Sequence, residues 1–376
     1  MERPDRPQTG HDVGLAQLEA LCEAVGADAP RDAIVAFFRD AAGMCGVRSL
    51  TSAPRWSAIS DDCTPFEFSV VLQEGPPAIR VLLEAQDDPA GPATYWQAGR
   101  RLTAWLASRF EVPLDRLGAI EDLFQPEDPL AYWSLWQSVD FRADRRPRVK
   151  IYLNPNARGR ERAAGLVDEA LSRLGCAAAP SHLDRLPRDP DDRLVVLSLD
   201  LVPGLETRVS VHVQFRRPSA EGLEELAALA PGTMPGDATA FLDAVTGRTD
   251  GAGMRSMFAT VHLDCGHLDS AVRGRPGGVG LHVPAFPYCE NDGVARDRVT
   301  RFLERVGLST AAYERCVRAM ARAPLEKEEG LHSFVSFTRA GGHPRVIVSF
   351  GSRVYYDRHG WIALDPSRWW PSPVPG

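Results

Sequence analysis

The chain contains 376 residues, of which 44% are hydrophobic and 25% are charged, and its formal net charge is -7. These values are typical of a soluble globular protein with a substantial core, built as one large domain or two ordinary ones. The acidic balance argues against a nucleic-acid surface as the main binding site, because binding to phosphate backbones requires a basic face. A small anionic molecule held by a few buried cations is compatible with this balance.

The chain begins with MERPDRPQTG, which lacks the apolar segment of a secretion signal. No run of about 18 apolar residues occurs, so no membrane-spanning helix is expected. The seven cysteines form an odd set without a CxxC pair, as expected for reduced thiols. We therefore predict a cytoplasmic protein without a membrane or nucleic-acid partner.

The first predicted elements are two amphipathic helices, at about 14–25 and 31–42. A strand pair follows within 65–86, where PFEFSVVLQE and AIRVLLEAQ are joined by the turn-forming Gly75-Pro76-Pro77. Apolar residues at helical spacing predict further helices at about 94–110, 163–174, 219–230, 237–246 and 295–321.

Strand pairs recur four more times between these helices. Their second strands are RPRVKIYLNP (146–155), ETRVSVHVQF (206–215), GGVGLHVPAF (277–286) and HPRVIVSFGS (343–352). Their first strands are AYWSLWQSVDF (131–141), RLVVLSLDLV (193–202), MFATVHLDC (257–265) and HSFVSFTRA (332–340). The second strands recur every 60 to 70 residues or so, which indicates a repeated supersecondary unit.

Closely spaced strand pairs favour antiparallel hairpins over the rival parallel βαβ arrangement. Helices between hairpins cover only one face of a sheet, so the alternate residues must face the other side. The most economical arrangement is an α/β fold with a ten-stranded antiparallel β-barrel, a solvent-filled central chamber and surrounding α-helices. We expect one domain over 1–376, with N-terminal helices to about 50, the barrel over 55–350 and a tail at 352–376.

Several positions that face the predicted chamber carry cations. Arg80, Lys150 and Arg208 lie on successive strand pairs, and each would suffer desolvation without a compensating anion. Together they favour a polyanionic ligand such as a diphosphate. Arg148 and Arg345 lie at strand starts and are predicted at the surface.

The remaining chamber-facing residues suit the carbon side of such a ligand. If the diphosphate leaves an allylic carbon, Tyr152, His212 and His282 would flank the developing cation. Glu67 is the one acid in this set and is placed to accept a proton or hydrogen bond from an aromatic acceptor. This chemistry needs no metal and no other cofactor.

Four stretches resemble the dimethylallyltryptophan synthase family of aromatic prenyltransferases, especially its shorter bacterial members. They are DDCTPFEFSVVLQ, IRVLLEA, RPRVKIYLNPNARGRE and the strand through Pro284 that runs into YCENDGVARDRVTRFLERVG. The resemblance covers roughly 55–350 and implies a barrel of αββα repeats. It also implies transfer of a dimethylallyl group from dimethylallyl diphosphate to an indole, usually tryptophan, in secondary metabolism.

The resemblance also implies roles for individual residues. Glu67 matches the family glutamate that contacts the indole N–H. The diphosphate ligands are matched by Arg80, Lys150 and Arg208, and His282 is a further candidate because histidine can donate to phosphate. Tyr152 matches a tyrosine that shields the prenyl cation, and His212 stands where the family has another.

This sequence departs from the family at several positions. Ser210 and His212 stand where the third strand often has Lys and Tyr, and Gly280 and His282 replace Gln and Tyr on the fourth. Ser349 replaces a Tyr on the fifth.

The lysine often proposed as a base in this family aligns by spacing near Gln137. Without it, Glu67 is the candidate for proton removal.

Other functions remain open from the sequence. The acceptor could be a phenol, a cyclic dipeptide or a peptide, and the oligomeric state could be monomer or homodimer. A non-catalytic ligand-binding barrel is the rival outside enzymes. His262, Cys265 and His267 resemble part of a zinc site, a weak pattern without a matching distant pair.

Overall fold

The computed structural model describes residues 9–355, apart from 27–29, 47, 51, 53–54, 61, 129–130, 177–182, 184–190, 203–207, 217, 249–256, 266–275 and 287. The helices in this part of the chain are α1 (Gly10–Val25), α2 (Arg31–Met44), α3 (Pro92–Phe110), α4 (Asp115–Gly118), α5 (Ala163–Arg173), α6 (Ala220–Ala227), α7 (Asp237–Thr246), α8 (Asp292–Arg305) and α9 (Ala311–Met320). Short 3-10 helices span Glu121–Phe124, Arg160–Arg162 and Leu325–Lys327. The predicted tail beyond residue 355 lies outside the described residues.

The strands form a closed antiparallel barrel. They are β1 (Phe66–Gln73), β2 (Ala78–Leu83), β3 (Leu135–Arg142), β4 (Arg145–Leu153), β5 (Arg193–Leu201), β6 (Arg208–Phe215), β7 (Met257–Asp264), β8 (Pro276–Pro284), β9 (His332–Ala340) and β10 (His343–Phe350). Each strand pairs with the next along the chain, and β1 pairs with β10 to close the sheet. The predicted ten-stranded barrel is confirmed.

Strand alternation divides the apolar residues into two groups. On β4 and β6, Val149, Ile151, Val209 and Val211 point outward and are fully buried in one large core between the barrel and the helices. A smaller apolar cluster, which includes Trp133, lies inside the barrel. The helices therefore cover only the outer face of the sheet, and the residues of the inner face line the interior of the barrel.

The N-terminal helices pack against the barrel and the C-terminal helices. α1 contacts α2 and α9, and α2 contacts α3. Thr9 caps α1, accepting a hydrogen bond from the Asp12 backbone N–H at 3.2 Å, and the Asp12 side chain accepts one from the Thr9 N–H at 2.9 Å. Phe38 on α2 lies edge-on to Phe66 and Phe68 of β1, with centroid distances of 5.1 and 5.2 Å.

Two expectations from the sequence are corrected by the fold. The helix predicted at 295–321 is two helices, because Gly307 adopts a left-handed conformation with φ of 78° after α8. The prediction that all cysteines are reduced is wrong, since Cys176 and Cys265 form a disulfide. These two residues are 89 positions apart, but the ends of α5 and β7 bring their Cα atoms to 5.3 Å.

In the part of the chain that the structure covers, every helix is too short or too polar to cross a membrane.

The contact between α1 and β1 predicts a stability difference between two glycine substitutions. A Cβ added at Gly14 would lie 2.6 Å from Phe66 Cζ and 2.9 Å from Phe38 Cζ, whereas one at Gly165 on α5 would meet no heavy atom within 4 Å. Gly14→Ala should lower the free energy of unfolding by about 1–3 kcal/mol through overpacking. Gly165→Ala should raise it by up to about 1 kcal/mol, since alanine favours the helix. Urea denaturation measures both, and a Gly14→Ala protein as stable as wild type would contradict the close packing.

Candidate active site

The barrel interior holds two cavities that meet at Arg80. The larger has a volume of about 450 Å³ and is lined mainly by apolar and neutral polar side chains, including Tyr152 and His212. The smaller has a volume of about 170 Å³ and is lined mainly by charged side chains, including Lys150 and Arg208. Two residues advance a strand by about 7 Å, so the two cavities are successive layers along the barrel axis.

The smaller cavity contains a set of four cations and two carboxylates that we call the cation cage: Arg80, Lys150, Arg208, Arg345, Asp140 and Asp200. Arg80 donates to Asp140 through Nε at 2.6 Å and Nη2 at 2.8 Å, and Arg345 Nη2 lies 3.3 Å from the same carboxylate. Asp200 lies 3.0 Å from Lys150 Nζ and 3.3 Å from Arg208 Nη2. Each aspartate therefore bridges two cations.

The sheet register produces these ion pairs. Arg80 lies opposite Asp140, and Lys150 lies opposite Asp200. Directly opposed side chains on one face of a sheet have Cβ atoms about 5 Å apart, within reach of an ion pair. Positive and negative side chains therefore alternate around the wall from β2 to β6.

Burial and neighbouring charges act in opposite directions on the cage. Burial lowers the pKa of Lys150 to about 8, although Asp200 favours its charged form. Burial would raise the pKa values of Asp140 and Asp200, but the adjacent cations hold both below the usual aspartate value. Both carboxyl groups are therefore ionised at neutral pH.

The cage retains donors for a ligand. Nε of Arg208 and Nε of Arg345 are buried and have no hydrogen-bond partner among the described residues. Buried N–H groups are rarely left without an acceptor. An anion in the cage would supply one.

A chain of hydrogen bonds, the histidine belt, follows the wall of the larger cavity from β5 to β9 through Ser198, His212, Thr260, His282 and Ser336. His212 lies 3.1 Å from Ser198 Oγ through Nε2 and 2.8 Å from Thr260 Oγ1 through Nδ1. His282 lies 2.7 Å from Thr260 Oγ1 through Nε2 and 2.7 Å from Ser336 Oγ through Nδ1. Both nitrogens of each ring are engaged, and the single hydroxyl proton of Thr260 couples the two tautomers.

The belt presents neutral aromatic rings to the cavity. Burial, together with nearby positive charges, lowers the pKa of His282 to about 3 and that of His212 well below its usual value. The two imidazoles are 26° from coplanar with centroids 6.0 Å apart, and the Tyr152 ring lies 6.2 Å from His212. The rings are therefore uncharged at physiological pH.

Glu67 is a buried carboxyl group on the wall of the larger cavity, 6% exposed. It accepts a hydrogen bond from the Ser333 hydroxyl at 2.6 Å. Burial raises the pKa of Glu67 to about 7, against the opposite effect of hydrogen bonds from Ser333 and Ser349 and of the Arg80 charge. A carboxyl group with this pKa can accept or release a proton near neutral pH.

Trp133 and Trp136 form an aromatic wall of the larger cavity near Tyr152. Their rings stack with centroids 4.0 Å apart. The Trp136 indole N–H donates to Glu84 at 2.8 Å, and burial raises the pKa of Glu84 to about 7. This fixed apolar wall suits contact with a planar aromatic ring.

The structure places every predicted site residue inside the barrel. The larger cavity is lined by Glu67, Tyr152, His212 and His282, the smaller by Lys150 and Arg208, and both by Arg80. The sequence analysis did not identify Asp140, Asp200 or Thr260. Strand alternation assigns these three to the inner face, but only the register shows what they contact.

The expected surface position of two arginines is wrong. Arg345 reaches Asp140 inside the barrel, and Arg148 lines the same small cavity. Both lie on inward-facing positions of their strands, and closure of the barrel brings them to the cage.

The position expected to match the family lysine is also corrected. Gln137 points out of the barrel toward α3, where its amide donates to the Gly99 carbonyl at 3.0 Å and to Thr103 Oγ1 at 3.1 Å. The register instead places Ser138 opposite Lys150 on the inner face.

The possible zinc motif does not assemble in the described part of the chain. His262 is hydrogen-bonded to Ser210 at 2.8 Å inside the barrel, and Cys265 is in the disulfide. His267 lies outside the described residues. Across those residues no group of three or more His, Cys, Asp or Glu side chains is arranged to hold a metal ion.

Known proteins match both the sequence and the fold. A family model described as tryptophan dimethylallyltransferase matches residues 44–244. The 6-dimethylallyltryptophan synthase from Micromonospora olivasterospora, solved with DMASPP and Trp, is 32% identical over 93% of this chain and 98% of its own, with a TM-score of 0.83.

Two further solved structures are similar over nearly the same span. The 5-dimethylallyltryptophan synthase from Streptomyces coelicolor is 28% identical over 93% of this chain and 99% of its own, with a TM-score of 0.84. The prenyltransferase PriB, solved with L-tryptophan and dimethylallyl thiolodiphosphate, is 31% identical over 93% of this chain and 97% of its own, with a TM-score of 0.81.

The histidine belt predicts that acid destabilises the fold. Unfolded histidine titrates near pH 6.5 and folded His282 near 3, so the unfolded state binds more protons between these values and stability falls as pH falls. At pH 5 the loss from His282 is about 2 kcal/mol relative to pH 8. His282→Gln should remove most of this contribution, as measured by urea denaturation at both pH values. An unchanged pH dependence in the variant would show that His282 is not held neutral by the fold.

Proposed function

The chain belongs to the tryptophan dimethylallyltransferase family and is an aromatic prenyltransferase of indoles, and from this premise we propose that it joins a dimethylallyl group to tryptophan without a metal ion. The observation that carries the proposal is the order of groups along the barrel axis: a cation cage, a belt of neutral aromatic rings and a buried carboxyl group. In this order the cation cage would bind the diphosphate leaving group, the aromatic rings would flank the reacting carbon, and the carboxyl group would lie near the acceptor ring.

We propose that Arg80, Lys150 and Arg208 bind the diphosphate of the donor. When the C–O bond to the allylic carbon breaks, the electron pair stays with the diphosphate, and the cations stabilise the charge that it gains. His282 was a further candidate for this role. Because Thr260 and Ser336 already occupy both of its ring nitrogens, we propose that it acts chiefly through its ring face.

The allylic cation would lie against Tyr152 and His212. Neutral aromatic faces stabilise a cation, whereas an imidazolium would repel it, so the low pKa of His212 suits this position. A nucleophilic atom of the indole then forms the new bond and loses its proton. The products are prenylated tryptophan, diphosphate and one proton.

The charge of the cage supports a metal-independent mechanism. The smaller cavity is lined by Arg142, Arg145 and Arg148 besides the four cations and two carboxylates of the cage, and Asp144 pairs with Arg142 and Arg145, so positive charges exceed negative ones by about four. A diphosphate monoester carries about three negative charges near neutral pH, because its last proton leaves with a pKa near 6. The cage can therefore neutralise the donor without the Mg²⁺ that many enzymes use for phosphate groups.

The two ends of the acceptor have separate candidate partners. Glu67 is placed to accept the indole N–H. Arg193 lies opposite Gln214, which lines the larger cavity. Burial and the charges of Arg160 and Arg216 lower the pKa of Arg193 to about 10, and Arg160 lines the larger cavity together with Asp128 and Glu161. A wall with both charge signs favours an acceptor that has an ammonium and a carboxylate group, such as tryptophan, over a phenol or a cyclic dipeptide.

We further propose that the chain acts as a single-domain cytoplasmic enzyme, as a monomer or homodimer, in which the Cys176–Cys265 disulfide is an exception among otherwise free cysteines. The match to solved relatives over 93% of the chain supports the single domain. The packing of α1 and α2 on the elements that surround the barrel supports it as well.

The activity test uses tryptophan and dimethylallyl diphosphate in the presence of EDTA, with mass spectrometry of the products. We expect a gain of one C5H8 unit on tryptophan and little product from indole or tyrosine. Lys150→Ala should reduce kcat/KM by about 100-fold or more, the order seen when a preorganised charge is removed. Lys327→Ala is the matched control, because Lys327 is the other lysine of the chain and is exposed.

Each outcome of this assay is informative. Activity that appears only with added Mg²⁺ would refute metal independence. Absence of diphosphate release with every acceptor tested would favour a ligand-binding barrel.

The raised pKa of Glu67 predicts a pH dependence of turnover. The carboxylate is the form that accepts a hydrogen bond or proton, so kcat/KM should rise with pH through about 7. Glu67→Gln should lower kcat/KM by about 100- to 10,000-fold and abolish this rise. Glu84→Gln is the comparison, since the pKa of Glu84 is also raised to about 7, but its side chain lies behind Trp136. If Glu84→Gln abolishes the rise and Glu67→Gln does not, Glu67 is not the titrating group.

A further inference from the structure

The two aspartates of the cation cage are unusual in a site for a polyanion. Asp200 is 4% exposed, and each aspartate stands on a strand between two strands that supply cations. A ligand diphosphate would therefore share the cage with two negative charges that lie close to every cation it contacts. Carboxylates in this position weaken the binding of an anion.

The geometry shows what the carboxylates contribute to the site although they weaken the binding of an anion. Arg80 uses two of its N–H groups on Asp140 and keeps others free, and the Lys150 ammonium has three protons, of which Asp200 takes one. The ion pairs thus hold long, flexible side chains in one conformation while leaving donors for a ligand. Without the aspartates, the cations would repel one another across the cavity.

Tight binding of diphosphate becomes unfavourable at the end of the reaction, because the product must leave the cage. The C–O bond breaks, the electron pair passes to the leaving oxygen, and the diphosphate in the cage carries one more negative charge than the ester did until it takes up a proton. A cage with full positive charge would therefore hold the product more tightly than the substrate. Product release would then limit turnover.

We propose that Asp140 and Asp200 are positioning residues of the cage that offset part of its charge so that inorganic diphosphate is released. This inference rests on the proposed function, because it assigns the released group to the cage. The aspartates hold the cations in reach of the donor and keep the net charge low enough for the product to leave.

The test compares Asp200→Asn with wild type, using inorganic diphosphate as the probe in EDTA. Isothermal titration should give a Kd about tenfold or more lower for the variant, the order expected when a like charge near a bound anion is removed. In steady state, both kcat and the KM for the donor should fall. In a single turnover with enzyme in excess, product formation should slow less than kcat does, because the chemical step precedes release.

The control is Asp297→Asn on α8, whose exposed carboxylate pairs with Arg296 outside the barrel. It should leave the Kd for diphosphate unchanged. Asp140→Asn should repeat the result of Asp200→Asn and replaces it if that variant does not fold. An equal or weaker affinity for diphosphate, or a single turnover slowed as much as kcat, would overturn the inference and leave the aspartates a purely structural role.

The titration needs no turnover, so its result is separate from that of the activity assay. If wild type binds diphosphate but does not prenylate tryptophan, the proposed acceptor fails and the charge inference is still tested. If wild type is active and the variants bind diphosphate no more tightly, the inference alone fails.

Discussion

Closure of an antiparallel sheet forces every second residue of each strand into one enclosed space. A charged or polar side chain in this space is shielded from bulk water. It therefore forms hydrogen bonds or ion pairs with other side chains inside the barrel or with a bound ligand. In this chain the cation cage, the histidine belt and Glu67 are all consequences of that constraint. Each lies on inward positions, and each is satisfied mostly by side chains from neighbouring strands.

The partners differ along the axis, and this divides the interior into chemically distinct layers. In the cage, cations are paired with carboxylates, as Lys150 is with Asp200. In the belt, Thr260 links two imidazoles that burial keeps neutral. On the wall of the larger cavity, Glu67 has hydroxyl partners and forms no ion pair with a described residue, and burial raises the pKa of its carboxyl group to about 7. A polar ligand can therefore bind with its charged group at one end and its apolar part at the other.

The sequence predicts the faces of the strands better than their register. Alternation alone places Arg80, Lys150 and Arg208 on the inner face, because apolar residues of the outer core flank Arg80 and Lys150 and follow Arg208. It does not pair Arg80 with Asp140, because the two lie on strands of different hairpins, 60 positions apart, and their alignment depends on the whole barrel. The spacing of the family places its lysine near Gln137, whose side chain points out of the barrel, and a shift of one residue moves a side chain to the opposite face.

Other features depend on tertiary proximity and could not be inferred from a pattern. Cys176 and Cys265 give no spacing signal, and only the positions of α5 and β7 bring them together. The role of Thr260 likewise requires His212 and His282 on its two sides. The strand pairs, in contrast, are local, which is why the fold could be predicted and the contacts between pairs could not.

One barrel thus gives carboxyl groups different pKa values by changing only their neighbours. Asp200 is as enclosed as Glu67 and Asp140 is partly buried, yet the cations beside both aspartates hold their pKa values low, while burial raises that of Glu67 to about 7. Groups whose environments separate their pKa values in this way can take different parts in one reaction. Permanent carboxylates can organise cations, and a carboxyl group near neutrality can exchange a proton with an acceptor. Because these neighbours come from adjacent strands, the division of roles is built into the register of the sheet.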